Sequence, residues 1–196
     1  LLPEIYPHVP NVFTEKPLCL DREEADGIRE LLRELPDSRG EGRPLLMVGF
    51  NRRFAPLTVS LREQFATSDE RLSVVYRVDA QPLPDDHWVY DLEVGGGRIV
   101  GEVCHFVDWM QHVVDALPER VSAVTSRGGR FARRDEGATI TVQFADGSTG
   151  TVHYAVVEDR GMPKERIEVF GRTRSVVLED FRLGHAYRPG GEERLS

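Results

Sequence analysis

A lysine and a histidine stand in the two segments of this sequence that carry the most chemical information. The first segment is Glu15-Lys16-Pro17, which closes a short β-prone run, and the second is GGGRIVGEVCHFVD at residues 95–108, which contains His105. Because the residue before a proline favours extended geometry, we expect Lys16 at a strand end. An ammonium can stabilise charge that develops on an oxygen, and an imidazole titrates near neutral pH. Together the two residue types indicate acid-base chemistry, although taken alone Lys16 could be a surface lysine beside a turn.

The segment before residue 56 has the pattern of two strands joined by a helix. Val12 to Thr14 is β-prone, Asp21 and Glu24 form a capping-box pattern at a helix start, and Leu45 to Phe50 is a continuous apolar run. Pro36 and the turn residues after it end the helix. This order predicts one β-α-β unit with parallel, buried strands.

The rest of the chain predicts a sheet backed by helices. Pro56 can begin a short amphipathic helix, residues 72–80 alternate with period two, residues 81–97 are loop-like, and residues 102–117 have helical spacing up to Pro118. Five further strand candidates follow, at residues 121–125, 138–145, 149–157, 167–170 and 176–178. The predicted fold class is therefore α+β, a predominantly antiparallel, open-faced sheet preceded by the β-α-β unit.

Composition excludes several classes of protein. The formal net charge of −8 argues against a nucleic-acid partner, which needs clustered positive charge. No apolar run approaches the roughly 18 residues of a membrane span, so we expect no membrane partner. Cys19 and Cys104 are too few for a disulfide framework, and this predicts a reducing, cytoplasmic location. The chain begins with Leu1 and has no initiator Met, which indicates a fragment.

Three motifs together resemble the Gfo/Idh/MocA oxidoreductases, nicotinamide-dependent dehydrogenases that act largely on sugars and cyclitols. They are Glu15-Lys16-Pro17, GFNRRFAP at residues 49–56 and GGGRIVGEVCHFVD, the last as in a subgroup of two-part dehydrogenases. The resemblance covers roughly residues 10–180 and begins within the family's dinucleotide-binding domain. It implies a partial Rossmann domain at residues 1–55 and a substrate and oligomerisation domain at 56–183, and we expect a flexible tail at 184–196.

The resemblance implies catalytic roles for Lys16, His105 and Glu102. In the family the lysine of Glu-Lys-Pro reaches substrate and nicotinamide, and the histidine accepts the proton of the substrate hydroxyl. The family's aspartate, four residues before that histidine, is Gly101 here, with Glu102 one place later. On a helix this offset turns the carboxylate by about 100°, so Glu102 can compensate only if the local backbone differs.

The remaining site predictions concern the cofactor and the substrate. NAD or NADP would contact the segment formed by Glu15, Lys16 and Pro17, and a sugar or polyol would contact Arg52, Trp88, Asp91 and Asp108. An arginine after the second strand could instead clamp the two halves of the protein or make a surface ion pair. Asp108 could also orient His105 or make a structural hydrogen bond. Although His105, Asp108 and His112 share a helical face, we predict no metal site.

No Gly-x-Gly-x-x-Gly motif precedes Lys16 in this sequence. Without glycines at a helix N-terminus little would hold a pyrophosphate, so we expect the chain alone to bind dinucleotides very weakly. The alternative function is a non-catalytic ligand-binding or oligomerisation module. In either case we expect a homo-oligomer, formed through the open sheet face or an exposed strand edge.

Overall fold

The computed structural model describes residues 2–6, 8–9, 11–34, 45–66, 70–125, 137–158 and 161–196. Its strands form a two-stranded parallel sheet and a separate eight-stranded sheet. The predicted α+β class, with a mostly antiparallel sheet after a β-α-β unit, is confirmed.

The N-terminal unit has the predicted β-α-β order. Helix α1 (Leu2–Ile5) precedes β1 (Asn11–Thr14), α2 (Arg22–Glu34) and β2 (Leu45–Val48), and β1 pairs with β2 in parallel. Asp21 Oδ1 accepts a hydrogen bond from the Glu24 amide at 2.9 Å, which is the predicted helix start. The predicted turn after this helix, at residues 36–40, lies outside the described residues.

The strands of this unit are not buried as predicted. Phe13, Leu45 and Met47 share one face of the pair and are 61%, 57% and 41% exposed. A parallel strand is buried when helices cover both faces of its sheet. Here one face of the two strands is open, which leaves these apolar side chains accessible.

The segment after β2 leads to the first helix on the large sheet. A 3₁₀ turn at Asn51–Phe54 is followed by α3 (Pro56–Phe65), with Pro56 in the first turn as predicted. Leu57, Leu61 and Phe65 are buried, so the predicted apolar face packs inward.

The large sheet holds the core. Its strands are β3 (Ser73–Ala80), β4 (Pro118–Thr125), β5 (Gly137–Phe144), β6 (Thr149–Val156), β7 (Glu165–Phe170), β8 (Ser175–Glu179), β9 (Leu183–Arg188) and β10 (Gly191–Arg194). The spatial order is β10-β9-β8-β7-β3-β6-β5-β4, and β3 with β6 is the parallel pair among antiparallel neighbours. Asp146-Gly147 forms the predicted hairpin turn between β5 and β6, where Gly147 has a φ of 89°.

The flexible tail predicted from residue 184 is wrong. These residues form most of β9 and all of β10, and Leu195 is buried, with its amide bonded to the Gly184 carbonyl at 2.8 Å. The outer strands are rich in charged side chains because they lie at an open edge of the sheet. The large-sheet unit therefore extends beyond the predicted boundary at residue 183.

The helix predicted at residues 102–117 has two parts and a different end. A π-helical turn at Ile99–Val103 leads into α4 (Cys104–Val114). Asp115 then adopts left-handed geometry with a φ of 59°, three residues before the proline that was expected to end the helix.

One face of the large sheet packs against α3 and α4. Among the fully buried side chains are Trp109 from α4 and Tyr76 from β3. The Trp109 indole Nε1 donates to the Thr58 hydroxyl at 2.9 Å and joins the two helices. The opposite face of the sheet is open. Because the core packs on the helix side, functional groups on that side can be held rigidly.

Candidate functional site

Lys16 lies just beyond β1, as predicted, and links the N-terminal unit to the π-helical turn. Its Nζ donates a hydrogen bond to the Gly101 carbonyl at 2.9 Å, across 85 positions of the sequence. The Lys16–Pro17 peptide bond is cis. The structure thus brings the Glu-Lys-Pro segment against the segment that carries His105.

His105 occupies the first turn of α4 and is 9% exposed. The Phe50 ring lies edge-on with its centroid 5.9 Å from the imidazole centroid. Burial, followed by the positive charges of Arg52 and Lys16, lowers the pKa of His105 to about 4. The imidazole is therefore neutral near pH 7, and Nδ1 is a buried atom without a hydrogen-bond partner among the described residues.

The glycine triplet shapes the approach to the π-helical turn. A side chain on Gly95 would collide with the Val89 backbone, 2.5 Å from the position of a Cβ atom. Gly96 and Gly97 have φ values of 67° and 81°, which other residues rarely adopt. The amides of Gly95 and Gly96 donate to the Asp91 carbonyl at 2.7 and 3.2 Å. The triplet therefore allows this loop to pack tightly.

Glu102 points to an arginine. Arg98 Nη2 donates to Glu102 Oε1 at 3.2 Å, and Arg98 is 2% exposed. Arg98 Nε also donates to the Tyr154 hydroxyl at 2.9 Å, and its Nη1 donates to the Gln81 carbonyl at 2.8 Å. The backbone here is a π-helical turn and so differs from an α-helix, which was the condition for Glu102 to replace the family's aspartate. The Glu102 carboxylate nevertheless bonds to Arg98, and Lys16 bonds to the Gly101 carbonyl.

Arg52 forms an internal ion pair. Its Nε and Nη2 donate to the two carboxylate oxygens of Glu165 at 2.8 and 2.5 Å, and the Tyr76 hydroxyl donates to the same carboxylate. Burial would raise the pKa of Glu165, but the hydrogen bonds from Arg52 and Tyr76 outweigh it and the pKa is lowered. Arg52 was predicted to meet substrate; the structure pairs it with this buried carboxylate, and its charge lowers the pKa of His105.

Asp108 is paired in the same manner. The Arg53 guanidinium donates to both carboxylate oxygens of Asp108, with Nε to Oδ2 at 2.6 Å. Of the two predicted roles, Asp108 has the structural one, because its hydrogen bonds join it to Arg53 and not to His105. His112, on the same helix face, lies with Nε2 3.4 Å from Arg62 Nη1.

Two of the predicted substrate contacts, Trp88 and Asp91, lie on an exposed loop. Trp88 begins a 3₁₀ turn at Trp88–Tyr90 and is 58% exposed. The Asp91 carboxylate accepts a hydrogen bond from the Glu93 amide at 3.0 Å. No hydrogen bond among the described residues joins Trp88 or Asp91 to Lys16 or His105.

Sequence reasoning missed three charged residues at this site, Arg98, Lys164 and Glu165. The charge of Lys164 lowers the pKa of His105 less than the charges of Arg52 and Lys16 do. Glu165 could have been found, because it extends the alternating inward positions of β7 that include Ile167 and Val169. Arg98 lies inside the glycine motif and had no predicted role, because two of its partners, Gln81 and Tyr154, come from distant parts of the chain.

The described residues also give information on metal sites, membrane spans and clefts. Within these residues no group of three or more His, Cys, Asp or Glu side chains could hold a metal ion. The helices that the structure describes include none long and apolar enough to cross a bilayer. A cleft of about 550 Å³ lies between α3 and the end of α4, and its lining residues do not include Lys16 or His105.

The fold and the motifs that Lys16 joins to Gly101 point to the C-terminal domain of an oxidoreductase family. Residues 70–177, more than half of the chain, match the GFO/IDH/MocA C-terminal domain. The chain belongs to this family, as its three motifs predicted.

Similar proteins extend this match toward the N-terminus. Inositol 2-dehydrogenase of Rhizobium meliloti (strain 1021) is 28% identical in an alignment of 180 residues that covers 87% of this chain and 50% of that protein. Among solved structures, an aldose-aldose oxidoreductase from Caulobacter crescentus complexed with glycerol aligns with a TM-score of 0.76 and 17% identity, covering 95% of this chain and 56% of that one. An NAD binding oxidoreductase from Klebsiella pneumoniae aligns with a TM-score of 0.75 and 18% identity, covering 94% and 54%.

The chain thus spans about half the length of the relatives it matches. The aligned part includes the N-terminal β-α-β unit, since the structural matches cover more than nine tenths of this chain. At these identities the solved structures establish the fold.

Proposed function

We propose that this chain is the substrate-binding half of an NAD(P)-dependent oxidoreductase that acts on a sugar, cyclitol or related polyol by hydride transfer. The observation that carries the proposal is the hydrogen bond between Lys16 and Gly101, which unites the two motifs at one place. His105 lies four residues further along and is a buried, neutral base. The similarity to an inositol dehydrogenase supports a polyol as the substrate class.

In this proposal His105 accepts the proton of the substrate hydroxyl. A neutral imidazole can take up a proton, and the surrounding positive charges favour a substrate oxygen that gives up its proton. The Lys16 ammonium has further donor capacity beyond its bond to Gly101 and would stabilise the developing alkoxide. Arg52 is held by Glu165 and contributes its charge from a fixed position.

The described residues fit the nicotinamide end of a cofactor. Glu15, Lys16 and Pro17 lie at the carboxyl end of β1, where ligands bind in open α/β sheets. A Cβ atom on Gly49, at the end of β2, would lie 3.2 Å from the Glu15 carboxylate, so the Glu15 side chain packs closely against the backbone of Gly49. When bound, a nicotinamide cofactor supplies the hydride acceptor.

Two measurements test this function. Titration of NADH fluorescence with the 196-residue chain should give very weak binding, and micromolar affinity would contradict the expectation that the pyrophosphate is held elsewhere. In an active protein that includes this chain, His105→Ala should lower kcat about 100-fold or more while His153→Ala, on the open sheet face, leaves it unchanged. Near-full activity of His105→Ala would remove His105 from the mechanism.

A second function is favoured by the open face of the large sheet. Phe170 and Tyr187 lie in one row of this face, on either side of Ser175, and Val75 lies in the next row. All three are about 40% exposed, at 40%, 42% and 40%. Apolar side chains grouped on a flat surface indicate an interface. We therefore infer a homo-oligomer through this face, with the exposed edge of the N-terminal strand pair as the alternative surface.

The location of the protein is part of the same proposal. Both Cys19 and Cys104 are free thiols. This supports a reducing compartment such as the cytoplasm.

A further inference from the structure

Lys16 meets the π-helical turn through a backbone carbonyl, so the position of this turn decides where the Lys16 ammonium lies. Lys16 Nζ donates to the carbonyl of Gly101, the middle residue of the turn at Ile99–Val103, at 2.9 Å. Leu20 packs beside the glycine triplet that precedes the turn, since a Cβ atom on Gly96 would lie 2.9 Å from the Leu20 side chain. The segment after β1 therefore rests on the turn and on the loop that leads into it.

Arg98, at the N-terminal end of this turn, ties it to the large sheet. Its Nη1 donates to the Gln81 carbonyl, directly after β3, at 2.8 Å. Its Nε donates to the Tyr154 hydroxyl, on β6, at 2.9 Å, and its Nη2 donates to the Glu102 carboxylate, inside the turn, at 3.2 Å. One planar and rigid guanidinium thus connects the turn to two paired strands.

The burial of Arg98 is better explained by geometry than by stability. Arg98 is 2% exposed, and taking a guanidinium out of water is unfavourable unless its hydrogen bonds are well placed. Well-packed apolar side chains of similar volume often replace such a buried pair without loss of stability. π-helical turns are rare, and they occur frequently at functional sites. The contacts of Arg98 therefore serve to fix the shape of the turn that carries Gly101.

On the basis of the proposed function, we propose that Arg98 is a positioning residue for Lys16. By anchoring the π-helical turn to β3 and β6, Arg98 holds the Gly101 carbonyl in the place where it orients the Lys16 ammonium toward the reacting hydroxyl. It acts through the backbone of the turn and does not need to contact the ligand. Tyr154 and Glu102 share this task, because they hold the guanidinium in place.

The two lysines of the sequence, Lys16 and Lys164, allow a direct test. Lys164 is exposed and serves as the reference for Lys16, which is half-buried. The 196-residue chain is treated briefly with acetic anhydride, and the acetylation of Lys16 relative to Lys164 is measured by mass spectrometry. Arg98→Gln should raise this ratio about tenfold, which is the protection that one hydrogen bond to a charged group provides.

Two further variants make the labelling experiment decisive. Tyr154→Phe removes one hydrogen bond of Arg98 and keeps the ring, so the ratio should rise about threefold. This variant decides the question if circular dichroism shows that Arg98→Gln does not fold. Leu178→Ala is the control for destabilisation alone, because it removes a fully buried side chain from β8, two strands away from β3. It should leave the ratio unchanged.

An unchanged ratio in the folded variants of Arg98 and Tyr154 would overturn the proposal. An equal rise in Leu178→Ala would also overturn it, because destabilisation alone would then account for the effect. The same two substitutions at Arg98 and Tyr154 leave the proton acceptor His105 in place, so they report on Lys16 separately.

A second readout distinguishes this proposal from the proposed function. In an active protein that includes this chain, Tyr154→Phe should lower kcat about threefold with little change in KM, because Lys16 acts on the transition state. A fall in kcat with an unchanged labelling ratio would contradict the positioning of Lys16 and leave the proposed function intact. A raised ratio with unchanged kcat would support the positioning and would remove Lys16 from the proposed mechanism.

Discussion

Arg52 and Glu165 form a two-point ion pair that fixes the segment after β2 to the start of β7. The Tyr76 hydroxyl donates to the same carboxylate, and the Arg52 guanidinium carbon lies 5.2 Å from the centroid of the Phe106 ring. This pair connects the N-terminal unit to the large sheet beside His105. It therefore contributes to stability and to the charge that His105 experiences.

Replacing Glu165 with Gln should destabilise the protein strongly. The change leaves the Arg52 charge in a partly buried position without its counterion, and breaking such a pair costs about 3 kcal/mol. Urea unfolding followed by circular dichroism measures the loss. The matched control is Glu168→Gln on the same strand, whose pair with Arg166 is partly exposed and should cost less than about 1 kcal/mol. Equal losses in the two variants would contradict the structural importance assigned to Glu165.

His105 should make the stability depend on pH between about 6.5 and 4. Its pKa is lowered to about 4 in the folded protein, so the unfolded chain binds more protons in this range. The stabilisation is complete above the unfolded pKa and is lost as the pH falls toward 4. We expect a contribution of about 2 kcal/mol, allowing for partial solvent screening.

Urea unfolding at a series of pH values tests the contribution of His105. The variant His105→Gln should flatten the profile between pH 6.5 and 4. His153→Gln, on the open face of the sheet, should keep the slope of the unmodified protein. If His105→Gln unfolds with the same slope as the unmodified protein, the lowered pKa is not a property of this residue.

Local sequence signals predicted most of the fold because each depends on neighbouring residues. The Asp21 and Glu24 helix start, the Pro56 first turn and the Asp146-Gly147 hairpin all formed as expected. Strands β9 and β10 were missed, since polar edge strands lack the apolar alternation that marks an inner strand.

The site was predictable only in part. Lys16 and the Gly101 to His105 segment could be placed together from the motifs, and the structure joins them through a backbone carbonyl. The partner of Arg52, Glu165, lies 113 residues away, and no local pattern gives such a pairing. The π-helical turn at Ile99–Val103 also has no local signature, because distant partners of Arg98 hold it in place.

Glu102 should affect stability more than catalysis. Its carboxylate accepts a hydrogen bond from the buried Arg98, and Glu102→Gln keeps an acceptor there but removes the counter-charge. We expect a loss of about 1 to 3 kcal/mol in the free energy of unfolding. In an active protein that includes this chain, kcat should fall less than about tenfold, far less than for His105→Ala. A loss of activity equal to that of His105→Ala, with unchanged stability, would establish Glu102 as a catalytic residue.

A charge on the open face of the large sheet should dissociate the oligomer. Phe170 lies in the same row of this face as Tyr187, so Phe170→Asp would place a carboxylate within the proposed interface. Burying that charge without a partner is unfavourable, and the variant should be a monomer by light scattering. Val59→Asp is the matched control, because Val59 is 49% exposed on α3, outside this face, and should leave the oligomer intact. A monodisperse monomer before any substitution would contradict the interface, and dissociation by Val59→Asp alone would move it to the helical side of the protein.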